Sequence, residues 1–251
     1  MSLEGKVGIV TGGGMGMGEA VAKRWGREGA AVVLTDVDEE AGARTAEFVN
    51  GVGGRALFIR ADSSSEADWK SVVETTLSTF GGLNFLHNNA GIHEWFDPLN
   101  DPLETWDRLM HVNLRGVFLG CRAVIPHMLA SGGGAIVNTA STSGLHGVPL
   151  QAAYGASKAG VIMLTRALAR AYGPQNVRVN AICPGTIDTP MLRIAAEEIQ
   201  RTGGAMRESA TVPLRRMAHP DEIASAVTFL VSDEASYITG AWLPVDGGMT
   251  A

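Results

Sequence analysis

The sequence predicts an α/β fold built on one doubly wound parallel sheet, and three observations carry that reading. Short β-rich runs alternate with longer helical patterns along all 251 residues, which is βαβ repetition with right-handed crossovers. The strand runs are apolar throughout rather than alternating, as expected when helices cover both faces of a parallel sheet. The length suits one large domain, and no repeat, charge run or proline-rich linker divides it. Residues 1–251 are therefore read as a single unit. Its ligand crevice should lie beyond the carboxyl ends of the strands.

The elements follow in order. The first strand, Lys6 to Thr11, leads into Thr11-Gly12-Gly13-Gly14-Met15-Gly16-Met17-Gly18, which opens a helix from Gly16 to Glu28. Glycines are needed where a strand turns sharply into a helix and backbone must approach a pyrophosphate, with the helix N-terminus offering unpaired N–H groups. The second strand runs from Ala31 to Asp36. Its terminal carboxylate can accept hydrogen bonds from a ribose 2′-hydroxyl and would repel a 2′-phosphate. Val37 follows, and no Arg or Lys stands between Gly13 and Met17, so NAD is favoured over NADP. A capping role for Asp36, with Asp38 as competitor, stays open. After a helix at Asp38 to Val49 comes a third strand, Ala56 to Asp62. Asp62 either accepts from an adenine amino group or starts the capping segment Asp62-Ser63-Ser64-Ser65-Glu66 of a helix ending at Phe80. The fourth strand, Leu83 to Asn88, precedes one long helix from Leu103 to Ser131. The fifth, Ala135 to Ala140, is closed by Ser141 and precedes a helix from Ala153 to Tyr172. The sixth, Val177 to Pro184, is followed by a helical insertion at residues 191–211 that could move over the crevice as a substrate lid. A helix at Pro220 to Val231 and a strand at Trp242 to Val245 complete the chain.

Composition excludes several classes. With 45% hydrophobic and 18% charged residues the chain is not disordered. No apolar stretch approaches the roughly 18 residues that span a bilayer, so no membrane partner is expected. A net charge of −6 argues against nucleic acid. The two cysteines, Cys121 and Cys183, read as buried thiols. MSLEGKVGIV carries neither a basic segment nor a long apolar one, which points to the cytoplasm. The six histidines lack metal-ligand spacing, so no metal is expected. His87, His111, His127 and His219 are read as core or surface residues.

Among three tyrosines and four lysines, Tyr154 and Lys158 stand one helical turn apart on one face. A nearby ammonium stabilises phenolate, so the pair predicts a tyrosine pKa lowered toward neutrality and a general acid/base. Ser141 lies at the strand edge where the crevice should be.

With these residues in place the sequence resembles the short-chain dehydrogenase/reductase family over essentially its whole length. The motifs are Thr11 to Gly18, Asn88-Asn89-Ala90-Gly91, Asn113, Ser141, Tyr154 with Lys158, Pro184-Gly185 and Val245-Asp246-Gly247-Gly248. The resemblance implies a seven-stranded Rossmann sheet, a nicotinamide cofactor and a homotetramer. It also implies a catalytic set of Asn113, Ser141, Tyr154 and Lys158. In that set Tyr154 transfers the proton, Ser141 holds the substrate oxygen, and Lys158 holds the nicotinamide ribose and lowers the Tyr154 pKa. Asn113 positions a relay water. Cofactor contacts are implied at Gly12, Gly14, Met15, Gly16, Met17, Gly18, Asp36, Val37, Asp62, Ser63, Asn89, Ala90, Gly91, Tyr154, Lys158, Pro184, Gly185, Ile187 and Thr189. Met17, Asn84 and His87 depart from the family's commonest residues.

The expected activity is NAD-dependent interconversion of a secondary alcohol and a ketone. For the substrate, His93 and His146 are candidates with Ser141, Glu94, Trp95, Leu145 and Val148. Met191, Leu192, Ile194 and Met206 would form an apolar lid, which favours an alicyclic, steroid-like or acyl substrate. Two rivals are an NADPH-dependent 3-oxoacyl thioester reductase, against which Asp36 argues, and a catalytically silent nucleotide-binding sensor or scaffold. The low charge fraction fits surface covered by other subunits.

Overall fold

The computed structural model describes residues 2–201 and 212–251. Its strands are β1 Val7–Thr11, β2 Ala31–Asp36, β3 Arg55–Arg60, β4 Phe85–Asn88, β5 Gly134–Thr139, β6 Val177–Pro184 and β7 Trp242–Val245. They form one seven-stranded sheet in the order β3-β2-β1-β4-β5-β6-β7, with every pairing parallel. Ile9 sits level with Val33 on one side and Leu86 on the other. Connections run outward in one direction from β1 and in the other from β4. The switch point, and with it the crevice, lies between those two strands.

The α-helices are α1 Gly16–Arg27, α2 Glu39–Gly51, α3 Glu66–Phe80, α4 Leu103–Met110, α5 Gly116–Ala130, α6 Ala152–Tyr172, α7 Pro190–Arg201 and α8 Pro220–Val231. Trp69, Leu119, Val124 and Val161 cover one face of the sheet against Ile9, Leu86, Ile136 and Val179. Trp25, Ile223 and Leu230 cover the other against Val10, Leu34, Val137 and Ile182. Successive strand residues thus enter opposite cores, which is why the strands read as unbroken apolar runs.

Local chemistry sets the boundaries. Asp38 caps α2 by accepting from the Ala41 amide at 2.9 Å, so the capping role considered for Asp36 falls to its neighbour. Ser65 caps α3, and Gly81 ends it at φ 75, where a side chain would be strained. The third strand stops at Arg60, two residues before its predicted end. The Asp62 amide donates to Asp68, and its carboxylate accepts from the amide and hydroxyl of Ser64.

The long helix predicted from Leu103 to Ser131 is interrupted. Residues His111–Arg115 form a π-turn between α4 and α5. The buried Asn113 in that turn accepts from the Ile92 amide at 2.8 Å and donates to the Ile92 carbonyl at 2.9 Å. A single extra residue in the turn re-aims this side chain. Of the insertion at residues 191–211, the part up to Arg201 is helical, and 202–211 lies outside the described residues.

Both cysteines are buried. Burial pushes the thiol of Cys121 up to about 12 and that of Cys183 up to about 11. His87 is fully buried in β4, its Nε2 lies 2.9 Å from Thr139 Oγ1, and desolvation pushes its pKa down to about 3. The folded state keeps it neutral, whereas the unfolded chain protonates it near 6.5. The unfolded state therefore binds the extra proton, and stability falls as pH drops from about 6.5 toward 3. His87→Val is expected to flatten that limb by up to one proton's worth, read from urea midpoints across the window; an unchanged slope would refute it.

Candidate active site

The loops after β1 and β4 clasp one another. Thr11 Oγ1 accepts from the amides of Asn89 and Ala90 at 3.0 Å, and Asn89 Nδ2 donates to the carbonyls of Thr11 and Gly12 at 3.1 Å. Gly14 donates to Asp36 Oδ2 at 2.9 Å, and Asp38 to Asp36 Oδ1 at 3.1 Å. The end of β2 is thereby tied to the glycine loop. There is no room in the clasp for a side chain at Gly18, where a Cβ would stand 2.6 Å from Asn89 Nδ2 and closer still to the Gly12 carbonyl oxygen. No side chain caps the N-terminus of α1, and Asn89 Oδ1 is buried without a partner. A glycine cradle, an uncapped helix start and an unmatched acceptor together fit a dinucleotide.

Ser141 follows β5, with Oγ accepting from the Ser143 amide at 3.2 Å. The first turn of α6 brings Tyr154 into the same cavity wall as Ser141. One turn on, the buried Lys158 donates to the Thr139 carbonyl at 2.9 Å, its Nζ 5.6 Å from the Tyr154 ring centre. The predicted lowering of the tyrosine pKa is not what this geometry produces. Burial pushes the Tyr154 phenol above its ordinary 10, and the Ser141 side chain only partly offsets it. Burial also pushes Lys158 down to about 8, and an ammonium that disfavours its own charge and turns to Thr139 does not outweigh desolvation. The Asn113 amide braces Ile92 and approaches Ser157 Oγ at 3.4 Å.

Asn113 itself does not reach the neighbouring cavity, whose volume of about 430 Å³ is within the usual range for small-molecule sites. Ser141, Tyr154 and Lys158 line it. So do Met17, Asn89, Gly91, Pro184, Gly185, Ile187 and Thr189 from the expected cofactor set, and His93, Trp95, His146, Val148, Met191 and Leu192 from the expected substrate set. Gly12, Gly14, Met15, Gly16, Gly18 and Ala90 belong to the loops of the clasp. Asp36, Val37, Asp62 and Ser63 stand farther along the carboxyl edge, over β2 and β3. Three apolar or acidic candidates do not reach the cavity wall. Glu94 pairs with Arg108, Leu145 is not part of the lining, and Ile194 is 59% exposed on the outer face of α7. Met206 lies outside the described residues. The sequence reading missed Gln151, Ser143 and Thr186, which also line the cavity. The position of Gln151 just ahead of the tyrosine helix was the one available signal.

His93 stands edge-on to Tyr154, ring centres 4.8 Å apart, and to Trp95 at 4.9 Å. Trp95 Nε1 donates to the Ala195 carbonyl of α7 at 3.2 Å, so the loop after β4 tethers the helix over the cavity. Trp95→Phe keeps the ring and deletes a bond worth about 1 kcal/mol. Tryptic cleavage after Arg193 and Arg201 of α7 is expected to quicken roughly five-fold if local opening governs it. An unchanged cleavage rate would show that the tether does not hold α7.

Comparisons with known proteins match nearly the whole chain. A family model described as Enoyl-(Acyl carrier protein) reductase matches residues 12–250. The chain is 44% identical over 247 residues to cyclopentanol dehydrogenase of Comamonas testosteroni, covering 98% of this chain and 97% of that one. Among solved structures, levodione reductase superposes with a TM-score of 0.93 at 37% identity, covering 98% of this chain and 97% of the other. A 3-ketoacyl-(acyl-carrier-protein) reductase from Brucella melitensis, complexed with NADH, superposes at 0.91 with 40% identity over the full length of both chains.

Proposed function

The chain belongs to the short-chain dehydrogenase/reductase family, and from that premise we propose that it is an NAD(H)-dependent oxidoreductase interconverting a cyclic, largely apolar secondary alcohol and its ketone. The observation that carries the proposal is that Tyr154, Ser141 and Lys158 share the wall of one cavity with Met17, Gly185 and Thr189. Cyclopentanol dehydrogenase and levodione reductase, similar along their whole length, support a ring-shaped substrate.

When bound, the nicotinamide supplies the hydride acceptor or donor. Tyr154 Oη takes the hydroxyl proton in oxidation and returns it in reduction, while Ser141 Oγ holds the substrate oxygen. Lys158 holds the nicotinamide ribose, and Ile187 and Thr189 fix its carboxamide. Asn113 belongs to the proton relay as a positioning residue, its amide bracing the Ile92 backbone. The clasp loops with Met15 hold the pyrophosphate, and Asp36 with Val37 the adenosine ribose. Asp62 and Ser63 lie beside the adenine. His93, Trp95, His146 and Met191 surround the substrate. Exposed Phe118 and Met163 support burial against further copies in a homotetramer, which analytical ultracentrifugation tests. The described residues contain no helix long and apolar enough to cross a membrane, and we assign the protein to the cytoplasm.

Cyclopentanol oxidation with NAD and with NADP tests the proposal directly. NAD is expected to win, because a unit negative charge a few ångströms from a phosphate costs at least about 1 kcal/mol even in water. Asp36→Ser is expected to narrow the preference about ten-fold. Wild-type preference for NADP would favour a 3-oxoacyl thioester reductase. Cofactor binding without turnover of any alcohol or ketone would point to a silent sensor.

A further inference from the structure

His93 and Gln151 are polar groups in the cavity wall that the proton-transfer chemistry does not use. Burial and the nearby Lys158 ammonium hold the His93 pKa below its ordinary value, with Glu94 opposing them. The ring is therefore neutral near pH 7 and offers one N–H and one lone pair. Neither is matched by the protein. Nδ1 is buried without a partner, and Nε2 makes no hydrogen bond among the described residues. Packing does not require the nitrogens, since phenylalanine would keep the edge-on contacts to Tyr154 and Trp95. An unpaired buried polar atom costs about 1–3 kcal/mol.

Gln151 shows a related imbalance. It is 7% exposed, and its Oε1 accepts from Ser143 Oγ at 2.7 Å. Its Nε2 donates to nothing among the described residues. Both side chains line the same cavity as Ser141 and Tyr154. Ser141 and Tyr154 take the reacting oxygen, while the imidazole and the carboxamide N–H stand ready for another. A plain cyclic alcohol would leave these groups unpaired, whereas a second hydroxyl can both donate and accept, and a carbonyl can accept.

We propose that the substrate is a cyclic alcohol carrying a second oxygen, as a diol, a hydroxyketone or in reduction a dione, and that His93 and Gln151 recognise that oxygen. The inference rests on the alcohol dehydrogenase reading above and names its substrate class.

The test compares kcat/KM with NAD for cyclohexanol and for the positional isomers of cyclohexanediol. At least one diol is expected to exceed cyclohexanol by about ten-fold or more, beyond the factor of about two from having two reactive hydroxyls, because sites built to bond a hydroxyl reject analogues lacking it. The ratio is expected to collapse toward two in His93→Phe and to fall in Gln151→Leu. If wild-type enzyme oxidises cyclohexanol but no diol exceeds that factor of two, the second-oxygen proposal fails and the alcohol dehydrogenase reading stands. If His93→Phe keeps the wild-type ratio, His93 is not the recognising group and the proposal fails as stated. Failure to oxidise any of these alcohols overturns both readings. The wild-type ratio needs no variant to fold.

Discussion

Tyr154→Phe is expected to lower turnover by about a thousand-fold or more while the protein still folds and still binds NAD. Phenylalanine keeps the aromatic contact with His93, and the loss to stability is that of one polar group, about 1 kcal/mol. The rate loses the general acid/base proposed for the reacting oxygen, a contribution of roughly 10²–10⁴ in most enzymes. Cofactor titration by fluorescence quenching and single-turnover kinetics separate the two readouts, and a variant retaining near wild-type rate would remove Tyr154 from the mechanism. The raised phenol pKa adds a pH signature. Oxidation requires the phenolate, so its rate should climb about ten-fold per pH unit through neutrality and past pH 9. Reduction uses the protonated form and should stay level over that range. An oxidation profile that levels off below about pH 8 would show that the assembled site lowers the phenol, as the Tyr154 and Lys158 spacing alone predicts.

Gly18→Ala is the second large effect. The added methyl would meet Asn89 Nδ2 at 2.6 Å and the Gly12 carbonyl oxygen closer still. The Gly12 carbonyl is backbone, and Asn89 Nδ2 is held in place by the Thr11 and Gly12 carbonyls, so the two loops must part. Overpacking of this kind costs about 1–3 kcal/mol, occasionally more, and here the strain falls on the backbone that would meet the pyrophosphate. NAD affinity is expected to drop about a hundred-fold, read by calorimetry. Gly51→Ala serves as the control, since nothing lies within 4 Å of its Cβ position, and it should bind NAD like the wild type. Should Gly18→Ala fail to fold, Gly14→Ala is the milder variant, its Cβ 2.9 Å from Asp36 Oδ2. Wild-type affinity in either folded variant would show that the clasp is not the cofactor seat.

Much of this was legible before the structure because it is written in neighbouring residues. The apolar runs of β2, β6 and β7 end where predicted, since Gly, Asn and Asp punctuate them locally. The glycine loop and the Tyr154–Lys158 spacing are likewise short-range patterns. Boundaries slipped where a side chain of the following element intervened, as where β3 ends at Arg60 and the Asp62 amide turns to Asp68 in α3.

The sequence by itself determined the strand and helix order, the phosphate-type loop, and the proton-transfer pair, because each depends on periodicity or spacing within a few residues. Only the tertiary structure decided the π-turn at Asn113 and the pairing of its amide with the backbone of Ile92, 21 residues away. It also turned Glu94 out to Arg108 and brought Gln151 in. The burial of the Tyr154 phenol was decided there as well. Desolvation depends on how much of the chain closes around a group, and no local spacing encodes it.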